Sequence, residues 1–182
     1  MTCEYTMTTT EKLNWLREYR EALRGLEPTH MVTINFPRPL TGTRNARREK
    51  IFVLLREWNR AVLKKLFGKQ FPIRNSTNAF LFVGFVEVGP LMAKEHVHLL
   101  VRVPEHLQSQ FEDHAASLWR PRQAVLGIGA PGTAIEPDIL IQRCCDERGG
   151  VSGAVAYCTK HLTPSTEGVV WSCEFRTQNS TA

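Results

Sequence analysis

Lys94-Glu95-His96-Val97-His98-Leu99-Leu100-Val101 is the stretch on which the reading of this chain turns. An apolar run of this kind predicts a strand over residues 95–103. Residues two apart on a strand share a face, so His96 and His98 project together with backbones roughly 7 Å apart. Val97 and Leu99 then point the other way, into a core. The preceding apolar run predicts a strand over 79–88, and Gly89-Pro90 turns the chain out of it. The two strands are expected to pair antiparallel as one central hairpin.

Outward from that hairpin, helical spacing predicts a helix over 10–23, with Leu13, Leu16, Ala22 and Leu23 near one stripe and Gly25 as its stop. Residues 1–9 read as frayed. A strand over 31–36 is closed by Pro37 and Pro39. A long helix over 44–67 carries Ile51, Leu54, Leu55, Trp58, Val62 and Leu66 at spacings of three and four, and Gly68 ends it. Pro104 opens a helix to 119. A Gly- and Pro-rich loop over 120–132, a strand over 134–143, a short helix over 152–162 and a last strand over 169–175 follow. Helices and strands mix without regular alternation. The expected class is therefore α+β: a central antiparallel sheet with flanking helices, mostly on one face. The chain divides into an N-terminal helical extension over 1–28, one domain over 29–175 and a flexible tail over 176–182.

A chain of 182 residues can bury one real core. Its net charge of +5 favours an anionic partner without identifying it. No apolar run approaches the ~18 residues of a membrane helix. The polar, threonine-rich start lacks the basic and apolar segments of a signal peptide. Five cysteines, Cys3, Cys144, Cys145, Cys158 and Cys173, show no C-x-x-C spacing, which argues for reduced thiols in packing positions rather than disulfides or structural zinc.

Glu87, nine residues before His96, ends the partner strand and can face both histidines. Three such ligands leave coordination positions open for water or a phosphate oxygen. By ligand type, two imidazoles and a carboxylate suit manganese or zinc better than magnesium. The competing reading is a half-buried, satisfied histidine pair with Glu87 solvated at a strand end. Histidine-triad and metallo-β-lactamase-like patterns fit poorly, because Leu99-Leu100 stands where each needs further ligands.

Of three tyrosines, Tyr5 and Tyr19 precede the sheet, and Tyr157 lies in a segment placed to meet the histidine strand. Helical spacing puts Lys160 on the same face, with His161 close by. A phenol, with a free pKa of about 10, is a weak nucleophile until a cation or base is near. A phosphotyrosine would keep the bond energy of a cut phosphodiester, so the cut could be resealed. The alternative is a core aromatic beside a surface lysine.

Residues 44–74 carry ten basic and two acidic side chains, and Arg56, Arg60 and Lys64 form a stripe at intervals of four. Such a stripe tracks a phosphate backbone or is the solvated face of an amphipathic helix. Arg38 and Arg44 follow the first strand and are better placed to reach such a backbone near the histidines, with Arg47 and Arg48 beyond them. Trp119-Arg120-Pro121-Arg122 offers a ring for stacking, or Trp119 is core. Gly127-Ile128-Gly129-Ala130-Pro131-Gly132 fits G-x-G-x-x-G literally, but no strand feeds it and Pro131 and Pro137 oppose a following helix, so it reads as a mobile loop.

Taken in order, these residues resemble the HUH endonucleases, most closely the single-tyrosine replication initiators of rolling-circle replicons. Val32-Thr33-Ile34-Asn35-Phe36-Pro37 resembles the family's first motif, His96-Val97-His98 the second and Tyr157-Cys158-Thr159-Lys160 the third, with Glu87 where the acidic metal ligand stands. The match covers about residues 30–162. The resemblance implies an RNA-recognition-like sheet and a metal-dependent nick in single-stranded DNA or an origin hairpin. Tyr157 would end joined to the 5′-phosphate, assisted by Lys160, leaving a 3′-hydroxyl for a polymerase. Glu87, His96 and His98 would hold Mn2+ or Mg2+. Thr33, Asn35, Arg38, Arg44, Arg47, Arg48, Arg56 and Arg60 would contact DNA. The setting implied is the cytoplasm of a bacterium or mobile-element host. No G-x-x-x-x-G-K-[ST] occurs, so a helicase would be a separate partner, and Val32 replaces the usual aromatic. A transposase or mobilisation relaxase of the same chemistry, and a DNA-binding module without nicking, are the alternatives.

Overall fold

The fold is built around β3, Glu95–Arg102, the histidine strand. Its hairpin partner is β2, Leu81–Val88, and the two pair antiparallel with Glu87 opposite His96 and Phe85 opposite His98. On its other side β3 pairs antiparallel with β1, His30–Asn35, setting Thr33 opposite His98 and Asn35 opposite His96. Short edge strands close the sheet: β4, Ile139–Arg143, against β1, and β5, Val169–Trp171, against β2. The order is β4-β1-β3-β2-β5, antiparallel throughout. Among the described residues four helices flank it: α1, Thr9–Gly25; α2, Arg44–Phe67; α3, Gln108–Val125; and α4, Gly150–Cys158. The computed structural model describes residues 7–36, 43–68, 80–88, 95–125, 139–162 and 169–172. The expected α+β class with a central antiparallel sheet is what is found.

The helices do not gather on one face. Strand β3 is buried on both sides, at Val97, Leu99 and Val101 and at His98 and Leu100, so each face of the sheet needs a cover. Helices α2 and α3 lie on the Val97 face, where Leu55, Trp58 and Val62 meet Phe111, Ala115, Trp119, Val32, Ile34 and Phe82. The Trp58 indole donates to Ala115 O across 2.9 Å and ties the two helices together. Trp119 is core, not a stacking surface. Emptying a tryptophan site in such a core typically costs about 3–5 kcal/mol. Helices α1 and α4 lie on the His98 face, where Leu23, Val155 and Cys158 pack with Val83, Phe85, Leu100 and Val169. The N-terminal helix thus shares a core with the sheet.

Local corrections have local causes. Residues 1–6 lie outside the described residues, but the helix start is fixed before residue 10: Thr8 caps α1, accepting from Glu11 N, while the Glu11 carboxylate accepts from Thr8 N at 2.7 Å, a reciprocal capping box. Leu13, expected on the buried stripe of α1, is exposed, and Leu23 alone of that stripe is fully buried. Helix α3 continues to Val125 through residues read as loop. Helix α4 begins at Gly150 and stops at Cys158, short of 162, where the Thr159 hydroxyl donates back to Val155 O at 2.8 Å. Pro37, Arg38 and Pro39, the Gly127–Gly132 motif, residues 134–138 of the predicted fourth strand and the tail lie outside the described residues. Among the described residues no helix is long and apolar enough to cross a membrane.

Candidate metal centre and its tyrosine

Glu87, His96 and His98 converge because pairing and alternation leave no other outcome. Odd positions of β2 and even positions of β3 face α1 and α4, and the register sets Glu87 beside His96 with His98 one step along. Their ligand atoms all lie within 4.8 Å of one another. His96 Nε2 is 3.0 Å and His98 Nε2 3.8 Å from Glu87 Oε2. The two rings are 5.0 Å apart, edge to face. Among the described residues this is the one group of three such side chains that a single ion can bridge.

The donor set fits a cation. His98 Nε2 and Glu87 Oε1 are buried and have no hydrogen-bond partner. A buried polar atom left unpaired is costly, and a divalent ion at the cluster would satisfy both. Burial pushes the His98 imidazolium down to about 4, so the ring is neutral at pH 7 and has a lone pair to give. Thr33 Oγ1 lies 3.0 Å from His98 Nδ1. With the proton on Nδ1, the ring donates to Thr33 and turns its Nε2 lone pair to the cluster. Thr33 is thus a positioning residue for His98. Thr33→Val is expected to weaken Mn2+ binding by about 10–100-fold while the circular dichroism spectrum is unchanged. Titration calorimetry with Mn2+ alone measures it, and unchanged affinity would refute the role.

Helix α4 brings the tyrosine. The chain leaves a 3-10 turn over Asp146–Arg148 through Gly149 at φ +80° and Gly150 at φ +57°, a left-handed path open to glycine. A Cβ on Gly153 would come within 2.5 Å of Arg148 O, so the helix packs against that turn only with glycine there. Val155 and Cys158 anchor the inner face of α4, and Tyr157 projects toward the cluster. Its ring stands edge to face on His98, 4.9 Å between centroids, and is 46% exposed. It is therefore not a core aromatic. Lys160 lies in the turn after the helix; its Nζ is 3.9 Å from the Tyr157 ring centre and 3.5 Å from Glu87 Oε2. Helical spacing is not what joins them: the turn does, with Lys160 N donating to Tyr157 O. Beside Tyr157, burial pushes the Cys158 thiol up to about 12, which leaves it a poor competing nucleophile.

The structure also fixes what surrounds the five residues. Arg20 of α1 donates from Nε to Thr159 Oγ1 at 2.8 Å, clamping the turn between Tyr157 and Lys160. Sequence offered no signal for this contact between residues 139 positions apart. Asn35 is exposed at the end of β1, opposite His96. Arg56 and Arg60 are not brought to the site. They sit near Glu57 on α2, which covers the other face of the sheet. Arg47 forms a 2.6 Å ion pair with Glu95, which is 2% exposed, and so ties α2 to β3. Arg48 is exposed on α2 and Arg44 opens that helix, while Arg38 lies outside the described residues.

Acid should weaken this fold, and the sign follows from three groups. Burial lowers the pKa of His30, which is fully buried with Nε2 2.8 Å from Glu112, and of His98. The hydrogen bond from Arg143 holds Glu112 below its ordinary value. All three bind protons more readily unfolded than folded. Stability is fully present above the unfolded histidine value near 6.5. It falls as pH drops toward the folded values, and the Glu112 contribution goes below about 4.5. The metal-free thermal midpoint is expected to decline from about pH 6.5 to 4, and His30→Gln should make the decline shallower. A flat profile would contradict this account.

No protein-family model, curated protein or solved structure matches the chain.

Proposed function

We propose that this chain is a single-tyrosine HUH-type endonuclease that cuts single-stranded DNA and stays joined to it. The observation that carries the reading is a tyrosine set edge-on against a histidine and capped by a lysine, beside a half-buried two-histidine, one-carboxylate cluster with two unpaired buried atoms. A cluster of that kind alone suits many hydrolytic reactions. A half-exposed phenol at its edge suits transesterification.

Glu87, His96 and His98 would hold Mn2+ or Mg2+, which when bound supplies Lewis-acid polarisation of a phosphoryl oxygen. Thr33 fixes the His98 ring, and Arg20 fixes the turn that holds Lys160. Tyr157 Oη attacks the phosphorus. The bond from tyrosine oxygen to phosphorus forms and the bond from phosphorus to the 3′-oxygen breaks. The phenol proton leaves to solvent, and the departing 3′-oxygen takes a proton to become a hydroxyl. The Lys160 ammonium faces both the ring and Glu87, where it offsets negative charge growing on the phenol oxygen and the phosphate. The joined 5′-phosphate preserves the bond for a later reversal, which fits initiation of rolling-circle replication or strand transfer in a mobile element.

The test is a denaturing gel of the protein incubated with end-labelled hairpin and single-stranded DNA in Mn2+. A band of protein joined to DNA is expected, and peptide mass spectrometry should place the nucleotide on Tyr157. Firm DNA binding with no joined product across varied origin sequences would sink the reading and favour a binding module.

A further inference from the structure

Tyr157 also borders a cavity that the cutting reaction leaves unused. The helical stripe Gly150, Gly153, Ala154 and Tyr157 runs along one side of α4, and its small residues leave space between the helix and the β1–β4 end of the sheet unfilled. The space left is about 160 Å3. A cavity of about 150 Å3 accepts a benzene ring, whereas a site for a larger molecule needs about 300 Å3 or more. The size therefore suits one flat ring system.

The walls suit a ring with a polar edge. Met31 and Gln142 are directly paired across β1 and β4 and form the floor. A thioether is a favourable, polarisable surface against a ring face. The Gln142 amide presents a donor and an acceptor side by side, the pattern that reads a base edge. Arg148, exposed at the lip, adds positive charge where the backbone of a bound strand would run. Arg143 contributes less, because its guanidinium is engaged by Glu112 on the far face of the sheet. Tyr157 touches both this cavity and His98, so a base seated here belongs to a nucleotide close to the phosphate under attack.

We infer that this cavity is a base-selecting subsite: it takes one unstacked base of single-stranded DNA, read by Gln142 and held against Met31, beside the cut phosphate. The inference rests on the reading of the chain as a single-stranded DNA endonuclease. Proteins that select sequence in single strands do so on unstacked bases, through stacking and hydrogen bonds to base edges. Arg56 and Arg60 of α2 do not supply that selection, since they lie behind the sheet.

The experiment uses Tyr157→Phe, which keeps the ring wall and removes cutting, without added metal. Fluorescence anisotropy measures binding of labelled ten-nucleotide strands of thymine, cytosine or adenine. One base is expected to bind about ten-fold or more tighter than the weakest. Gln142→Leu should compress that spread to within about two-fold. Gln142→Glu, of the same size but accepting only, should shift the preference toward the amino-bearing cytosine and adenine. A protein that binds all three strands alike, or a preference that survives both substitutions in folded protein, overturns the subsite. The joining assay on unsubstituted protein separates the two ideas. Normal joined product with a preference indifferent to Gln142 strikes the subsite alone. No joined product with a preference that depends on Gln142 strikes the endonuclease reading and leaves a base-selective DNA-binding site. Failure to bind any strand strikes both.

Discussion

Tyr157→Phe is expected to reduce the joined protein–DNA product by at least about 10^3-fold while leaving the fold and metal binding intact. The phenol ring makes its contacts through its edge and face: His98 stands against it and Lys160 lies over it. Phenylalanine preserves both. The side chain is 46% exposed, so losing the hydroxyl leaves no buried partner stranded, and stability should change by no more than about 0.5 kcal/mol. The substitution therefore isolates the nucleophile from everything else the ring does. Product measured by gel, with Mn2+ affinity by calorimetry and the thermal midpoint in parallel, decides the matter. If joined product persists, another residue attacks, and the role given to Tyr157 is wrong. If product, affinity and midpoint all fall together, the ring is structural.

Much of this site was legible in the sequence, and the reason is the two-residue period of strands. Once residues 81–88 and 95–102 are strands of one hairpin, Glu87 opposite His96 and His98 on the same face follow from register and alternation. The 44–67 helix was legible for a similar reason: an unbroken three-and-four pattern ends at a glycine, and its observed bounds are the same. What the sequence concealed was which face of the sheet each helix would take. The stripe of Arg56, Arg60 and Lys64 shows that α2 has a basic side, but helical periodicity carries no information about the sheet it packs on. Only the burial of Trp58 and Val62 against Val97 and Leu99 puts that side away from the histidines. Arg47 looked like one more basic residue because its partner, buried Glu95, lies on β3, well away along the chain. Thr33 sat inside a motif read for DNA contact, while its hydroxyl lies beside a histidine 65 positions on. Long-range pairs of this kind are set by tertiary packing, and local pattern cannot reveal them.

Glu87→Gln is the second large effect, and its strength is that a neighbouring substitution should act in the opposite direction. With Mn2+ at about 100 times its dissociation constant, the unsubstituted protein should gain about 2.7 kcal/mol of stability from binding. For a chain of this size that is a rise of about 5–10 °C in thermal midpoint. Glutamine keeps the size of Glu87 but gives up the charge that faces two imidazoles and an ammonium. It is expected to weaken Mn2+ binding by at least about 100-fold and to erase the rise. Lys160 stands 3.5 Å from the same carboxylate oxygen and competes with a cation for it. Lys160→Met removes that competitor, so Mn2+ should bind tighter even as joined product declines. A mere loss of packing cannot give this pair of signs, since both substitutions would then lower affinity and midpoint together. An absent Mn2+ response in the unsubstituted protein, or equal responses in Glu87→Gln, would leave Glu87, His96 and His98 as a polar cluster with no metal to hold.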